Sequence, residues 1–232
     1  MKIALLLGLT LGALVLLIPS TRDGGVILDV HAIRPVGACS SPTDDDSASA
    51  SVSLSGQLGS SLHYRTNQST YPSNLNVANV EAAIDAAFAT WEATDVGNRF
   101  IDDGTTSARG GKRDGVNAIS FGGVRFGAVA IAFTWTNRST GDVVEADVVF
   151  SNSFPWSTND GITENPGDDS DDCDGAASAF DLQAVAVHEF GHLVRLGHPS
   201  NDVQSMFGQV AYQELSKRSL GLGDEAGAND KY

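Results

Sequence analysis

The run His188-Glu189-Phe190-Gly191-His192-Leu193-Val194-Arg195-Leu196-Gly197-His198 sets three imidazoles and one carboxylate at a spacing that suits a catalytic zinc ion. Residues four apart on an α-helix lie about 40° from alignment, so His188 and His192 can each aim a nitrogen at the same ion. His198 cannot join from the same straight helix, and the chain must turn after about Arg195 to bring it back. Three protein ligands leave a fourth tetrahedral position for water, the pattern of a catalytic rather than a structural zinc. Glu189 can then stand beside that water as general base, without being a ligand, where the ion has lowered the water's pKa to about 7. Two histidines on one helix face arise readily by chance; a third in register, in a chain with only five histidines, argues for a metal.

The elements that must carry these residues are legible around them. Leu182, Val185 and Ala186 give the motif's helix a buried face, and Ser178 with Asp181 resembles a capping box at its start. Val80, Ile84, Ala87, Phe88 and Trp91 recur at helical spacing, with Asn79 as the expected N-cap. Segments 116–121, 128–135 and 143–150 are rich in β-branched and aromatic residues and bounded by Gly or Asn, which reads as strands. A helix, several strands and a later helix with irregular connections predict an α+β domain. Some 174 residues after position 58 suffice for one core.

On these residues the chain resembles the metzincins, and within them the matrixin-like zinc endopeptidases. Phe180 to His192 looks like their active-site helix, and Ser205-Met206-Phe207 like their Met-turn, with Met206 eight residues after His198. Tyr64-Arg65-Thr66 resembles the first strand, Val80 to Trp91 the long first helix, and Leu220 to Tyr232 the start of the last. Gly127 to Trp135 and Glu145 to Ser151 resemble the edge strand and its neighbour. The resemblance implies a metzincin-type zincin domain over residues 59–232: a twisted mixed sheet, two long helices, and an active-site helix followed by a Met-turn and a C-terminal helix. It implies zinc on His188, His192 and His198, Glu189 as the catalytic base, and Met206 as an apolar floor. Substrate is expected extended along the edge strand near Val129 to Thr134, with a pocket wall after Met206 that includes Tyr212. The implied activity is hydrolysis of internal peptide bonds by zinc-activated water.

Two positions depart from the family pattern. Arg195 stands where HExxHxxGxxH has glycine, and a side chain in a left-handed conformation costs roughly 1 to 2 kcal/mol. Gly197 is a candidate to share that turn. A catalytically impaired, zinc-holding module that binds peptides is therefore the alternative reading. Val149 occupies the position of a histidine that serves a second, structural zinc in animal members, so one zinc is expected.

The formal charge of −15 disfavours nucleic acid and anionic membranes as partners; protein or peptide substrates and a monomeric state are expected. Lys2 with the apolar run Ile3 to Ile18, then Pro19 and Ser20, reads as a signal peptide over residues 1–20, hence secretion and no stable membrane insertion after its removal. Residues 21–58, rich in Ser, Gly, Asp and Ala, read as a low-complexity linker or short pro-segment. The acidic stretch Asp168-Asp169-Ser170-Asp171-Asp172-Cys173-Asp174 could hold calcium or be a solvated loop. Cys39 and Cys173 are the only cysteines. Cys39 has three readings: a disulfide with Cys173, a thiolate that blocks the open zinc position as in the matrixin cysteine switch, or neither.

Overall fold

A computed structural model describes residues 25–158 and 172–232. The signal segment 1–20 lies outside the described residues, as does the calcium candidate from Asp168 to Asp171.

Among the described residues, nine strands and three α-helices follow in chain order: β1 Val26–Pro35, β2 Leu62–Thr66, α1 Val77–Glu92, β3 Phe100–Thr105, β4 Asn117–Gly122, β5 Ala130–Asn137, β6 Val143–Ser151, β7 Trp156–Ser157, β8 Phe180–Asp181, α2 Leu182–Leu193, β9 Gln209–Val210 and α3 Leu222–Asn229. Seven strands form one mixed sheet in the order β3-β2-β4-β6-β5-β1-β9, and β7 pairs separately with β8. This is the α+β architecture expected, with a first helix of 16 residues and a second of 12.

Helix α1 buries Val80, Ala83, Ile84, Ala87, Phe88 and Trp91, a single stripe at the 3.6-residue period. It begins earlier than expected: Asn76, not Asn79, is the N-cap, its side chain accepting from the Ala78 amide. Helix α2 is buried nearly all round because α1 covers one side and the sheet the other. Phe88 stacks on Phe190 at 3.8 Å between ring centres, and the Trp91 indole donates to the Val187 carbonyl at 2.8 Å. The capping box expected at Ser178 is absent; Asp181 itself caps α2 through the Ala184 amide and receives a two-pronged bond from Arg218 at 2.7 and 2.8 Å. A buried carboxylate needs such a partner, and this one anchors the helix that carries the histidines.

The main difference from expectation lies in residues 21–58. The stretch Val26 to Pro35, read as part of a linker or pro-segment, is a ten-residue strand inserted in the sheet. Strand β1 pairs antiparallel with β5 from Val26↔Asn137 to Ile33↔Ala130, then parallel with β9 at Arg34↔Gln209 and Pro35↔Val210. The expected edge strand, Val129 to Thr134, is therefore not an edge: β6 covers one side and β1 the other. Residues 43–58 are also fastened to the domain. Asp202 accepts from the Thr43 and Asp44 amides, Asp46 from the Leu222 amide, and Lys231 donates to the Leu54 and Gly56 carbonyls. A low-complexity composition hides this because the bonds run largely through backbone groups, which any residue type supplies.

Cys39 is bonded to Cys173, with Cα atoms 5.8 Å apart and 134 residues between them in sequence. Of the three readings of Cys39 the disulfide is the one realised, and its sulfur is thereby committed away from a metal. Closing so long a loop stabilises mainly by restricting the unfolded chain. We expect Cys39→Ser to lower the unfolding free energy by about 2 to 4 kcal/mol in denaturant titrations, with bound zinc per chain unchanged.

Candidate metal centre

Helix α2 ends at Leu193, and Arg195 takes the left-handed conformation, φ 68°, that reverses the chain. Gly197 takes no such conformation, so the non-glycine residue carries the turn alone. The reversal is tied by the Leu196 amide to the Gly191 carbonyl at 2.9 Å and by the Gly197 amide to the Val52 carbonyl at 2.7 Å. It returns His198 to the two helical histidines. The Nε2 atom of His198 lies 3.0 Å from those of both His188 and His192.

The tautomers follow from the partners. His188 Nδ1 lies 2.7 Å from the Ser205 carbonyl and His192 Nδ1 2.8 Å from the Leu196 carbonyl. A carbonyl only accepts, so both Nδ1 atoms carry the proton and both Nε2 lone pairs point inward. Burial holds these imidazoles neutral: the pKa values of His188 and His192 fall well below the ordinary histidine range, and that of His198 to about 3. Inward-facing lone pairs 3 Å apart repel unless a cation sits among them. Zinc–nitrogen bonds of 2.0 to 2.1 Å in tetrahedral geometry place ligand nitrogens roughly 3.3 Å apart, so the donor set fits zinc.

Glu189, on the same helix, is completely buried, and neither carboxylate oxygen has a hydrogen-bond partner. Burial raises its pKa well above the usual carboxylate value. The amides of Ile33 and Ala132 face it and partly offset that rise, without reaching hydrogen-bond geometry. An unpartnered buried carboxylate next to a metal-type cluster is where a water or a reacting group belongs.

Met206 is buried under the helix. A side-chain carbon on Gly191 would lie 2.1 Å from the Met206 sulfur and 2.6 Å from Trp91 Cζ2, so only glycine permits this close floor between two ligand positions. Asp224, which the sequence did not single out as a functional residue, accepts from the Ser205, Met206 and Gly221 amides. Since Ser205 also accepts from His188, α3 holds the Met-turn and through it the orientation of one ligand. Burial raises the Asp224 pKa to about 6. Tyr212 packs on Phe180 at 4.4 Å, a packing role. Val149 packs beneath Gly110, and the adjoining loop is fastened by Asp147, which accepts from the Gly111 and Ala118 amides. Among the described residues, His188, His192 and His198 form the one cluster of histidine, cysteine or carboxylate ligands compact enough for a metal.

Two further side chains matter: His31, which lies outside the motif, and Arg195, which does more than make its turn. His31 of β1 stacks on His192 at 4.3 Å, lies 6.0 Å from His198, and is buried with Nε2 unpartnered; burial takes its pKa down to about 4. The Arg195 side chain, also buried, does not block the cluster. It donates to the Ser55 carbonyl and Thr134 hydroxyl and forms an ion pair with Asp29 of β1 at 2.9 Å.

Replacing Gly191 by Ala tests the floor: about 1 to 3 kcal/mol of stability should be lost in chemical denaturation. A neutral result would show that Met206 moves aside freely.

No curated protein matches the chain. The matrixin model of peptidase family M10 matches residues 58–232, the region that carries α1 to α3 and the histidine cluster, and leaves β1 outside it. With three quarters of its length in that match, the chain belongs to the matrixin family.

Proposed function

We propose that this protein is a zinc-dependent endopeptidase that hydrolyses internal peptide bonds of protein substrates. One observation carries the reading: His198 Nε2 lies 3.0 Å from the Nε2 atoms of both His188 and His192, with the unpartnered carboxylate of Glu189 on the helix that carries those two. The zinc-dependence of the family supports it.

Zinc, when held by His188, His192 and His198, supplies Lewis acidity toward a carbonyl oxygen and lowers the pKa of nearby water. The protein's own residues then do the following. Ser205 and Leu196 fix the two helical imidazoles in the ligating tautomer. Glu189, unpartnered on the same helix, acts in its ionised form: it takes a proton from the attacking water and passes it to the amine that leaves. Strand β5 pairs through its backbone with the extended strand β1, the mode in which a substrate peptide would pair, and such pairing depends little on sequence.

The alternative, a catalytically impaired peptide-binding module, rested on Arg195. That residue makes the turn and delivers His198 to the cluster, which removes this argument for the alternative. Export to an oxidising compartment belongs to the proposal and is supported by the disulfide between Cys39 and Cys173.

The test compares wild type with Glu189→Gln, measuring zinc by atomic emission and cleavage of both casein and the chain itself. We expect one zinc per chain in both proteins and a rate at least about 10²-fold lower in the variant. A wild type that holds zinc yet cuts neither casein nor itself refutes the reading.

A further inference from the structure

The pairing of β1 with β5 shows which side chain of an extended peptide meets which part of the site. The two strands run antiparallel, with His31 opposite Ala132 and Asp29 opposite Thr134. Residues two apart on a strand share a face. On that face His31 stacks on His192 at 4.3 Å, and Asp29, two residues nearer the amino terminus, meets the Arg195 guanidinium at 2.9 Å. The register of pairing thus puts the side chain opposite Thr134 on Arg195.

The guanidinium is held in place by groups other than Asp29. Its Nε donates to the Ser55 carbonyl at 2.9 Å, and its Nη1 to the Thr134 hydroxyl at 3.2 Å. Thr134 belongs to β5, and Ser55 stands between two fastened residues: the Leu54 amide donates to the Arg195 carbonyl, and the Gly56 carbonyl accepts from Lys231. Both acceptors are neutral, so they orient the cation and leave its charge uncompensated. Arg195 is 4 % exposed, and a cation so buried calls for a carboxylate. Lys231 adds positive charge on the same side; burial first, and the Arg195 charge next, lower its pKa. Arg195, Asp29, Thr136, Arg138 and Ser139 line a cavity of about 430 Å³, which leaves room beside the guanidinium for an acidic side chain longer than that of Asp29.

We propose, resting on the peptidase reading, that Arg195 is a specificity-determining residue: in a peptide paired with β5, its Nη2 binds the carboxylate of the residue opposite Thr134 and selects aspartate or glutamate there. A peptide running in the direction of β1 carries that residue two positions before the one lying against His192, hence on the amino-terminal side of the bond that is cut. Main-chain pairing alone is tolerant of sequence, whereas a guanidinium fork whose orientation is preset recognises a carboxylate by charge and by shape. An amide of the same shape as aspartate has one acceptor oxygen and no charge, so asparagine at that position is refused. The glycine that the family motif carries at this point of the turn has no side chain with which to make the choice.

The test is a cleavage-site profile. Zinc-loaded full-length wild type and Arg195→Gly are each incubated with a random peptide library and the products are sequenced. Then kcat/KM is measured on one well-cut peptide and on its counterpart with asparagine in place of the selected aspartate. For the wild type we expect aspartate and glutamate to be enriched at one fixed position before the cut, and kcat/KM to be at least about tenfold higher for the aspartate peptide. In Arg195→Gly both peptides should be cut equally well, because the variant restores a residue at ease in the left-handed turn and removes only the fork.

Cleavage by the wild type without acidic enrichment at a fixed position overturns the proposal and leaves the peptidase reading standing. That arm needs no variant, so it decides the matter even if Arg195→Gly fails to fold. An Arg195→Gly enzyme that loses rate on both peptides alike and keeps the wild-type preference for aspartate also overturns it, since a residue that only secures the turn lowers both rates and leaves their ratio alone. No cleavage of any peptide by zinc-loaded wild type refutes the peptidase reading itself.

Discussion

Three neutral imidazoles with His198 Nε2 3.0 Å from those of His188 and His192 form an arrangement that no protein adopts without support, because it is electrostatically unfavourable until a cation joins it. Much of the surrounding structure serves to hold it. The Ser205 and Leu196 carbonyls fix the tautomers, Asp224 ties the amides of the turn that carries Ser205, and Asp181 with Arg218 secures the start of the helix. Gly191 lets Met206 press against the helix between the two ligand turns. Each support is a buried polar group with a partner or an apolar surface without a gap. Loss of any of them therefore acts on ligand geometry as well as on stability.

Arg195 joins this arrangement to the N-terminal strand. Its left-handed backbone costs roughly 1 to 2 kcal/mol relative to the glycine usual in the family. In return its guanidinium reaches the Ser55 carbonyl, the Thr134 hydroxyl and the Asp29 carboxylate. Hydrogen bonds to charged groups contribute about 1.5 to 3 kcal/mol each when buried, enough to offset the backbone cost. A residue that looks like an impairment in the motif is thus a connection between the turn that delivers His198 and the strand that covers the cleft.

The sequence disclosed what is periodic or chemically rare. Five histidines, two methionines and the HExxH spacing located the cluster and its floor, and the 3.6-residue stripe of Val80 to Trp91 located α1. Helix starts were each placed three residues off, at Asn79 for Asn76 and at Ser178 for Asp181, because several capping-type residues stand near each start and only the path of the preceding chain selects one. Strand β1 was missed for a different reason. Val26-Ile27-Leu28-Asp29-Val30-His31-Ala32-Ile33 has the β-branched content of a strand, but its flanks of Ser, Gly, Asp and Ala dominated a composition-based reading. With only two cysteines the sequence offered the Cys39–Cys173 disulfide as one of three readings of Cys39, and only the fold, which brings Cα atoms 134 residues apart to 5.8 Å, selects it.

Covering β5 with a segment of the same chain also answers a problem that the proposed peptidase function creates. A cleft that binds extended peptides needs an open strand with unpaired backbone groups, and such an edge pairs as readily with other exposed strands as with substrate. Here that strand carries Ala130, Ile131, Ala132 and Phe133, an apolar run whose exposure would favour association. An intramolecular strand satisfies those groups at a loop-closure cost that grows only slowly with the length of the intervening chain. It is also bonded on both sides of Ile33, to β5 and to β9, so it spans the metal cluster as well as the edge. Protection of the edge and covering of the histidine cluster are then the work of one strand.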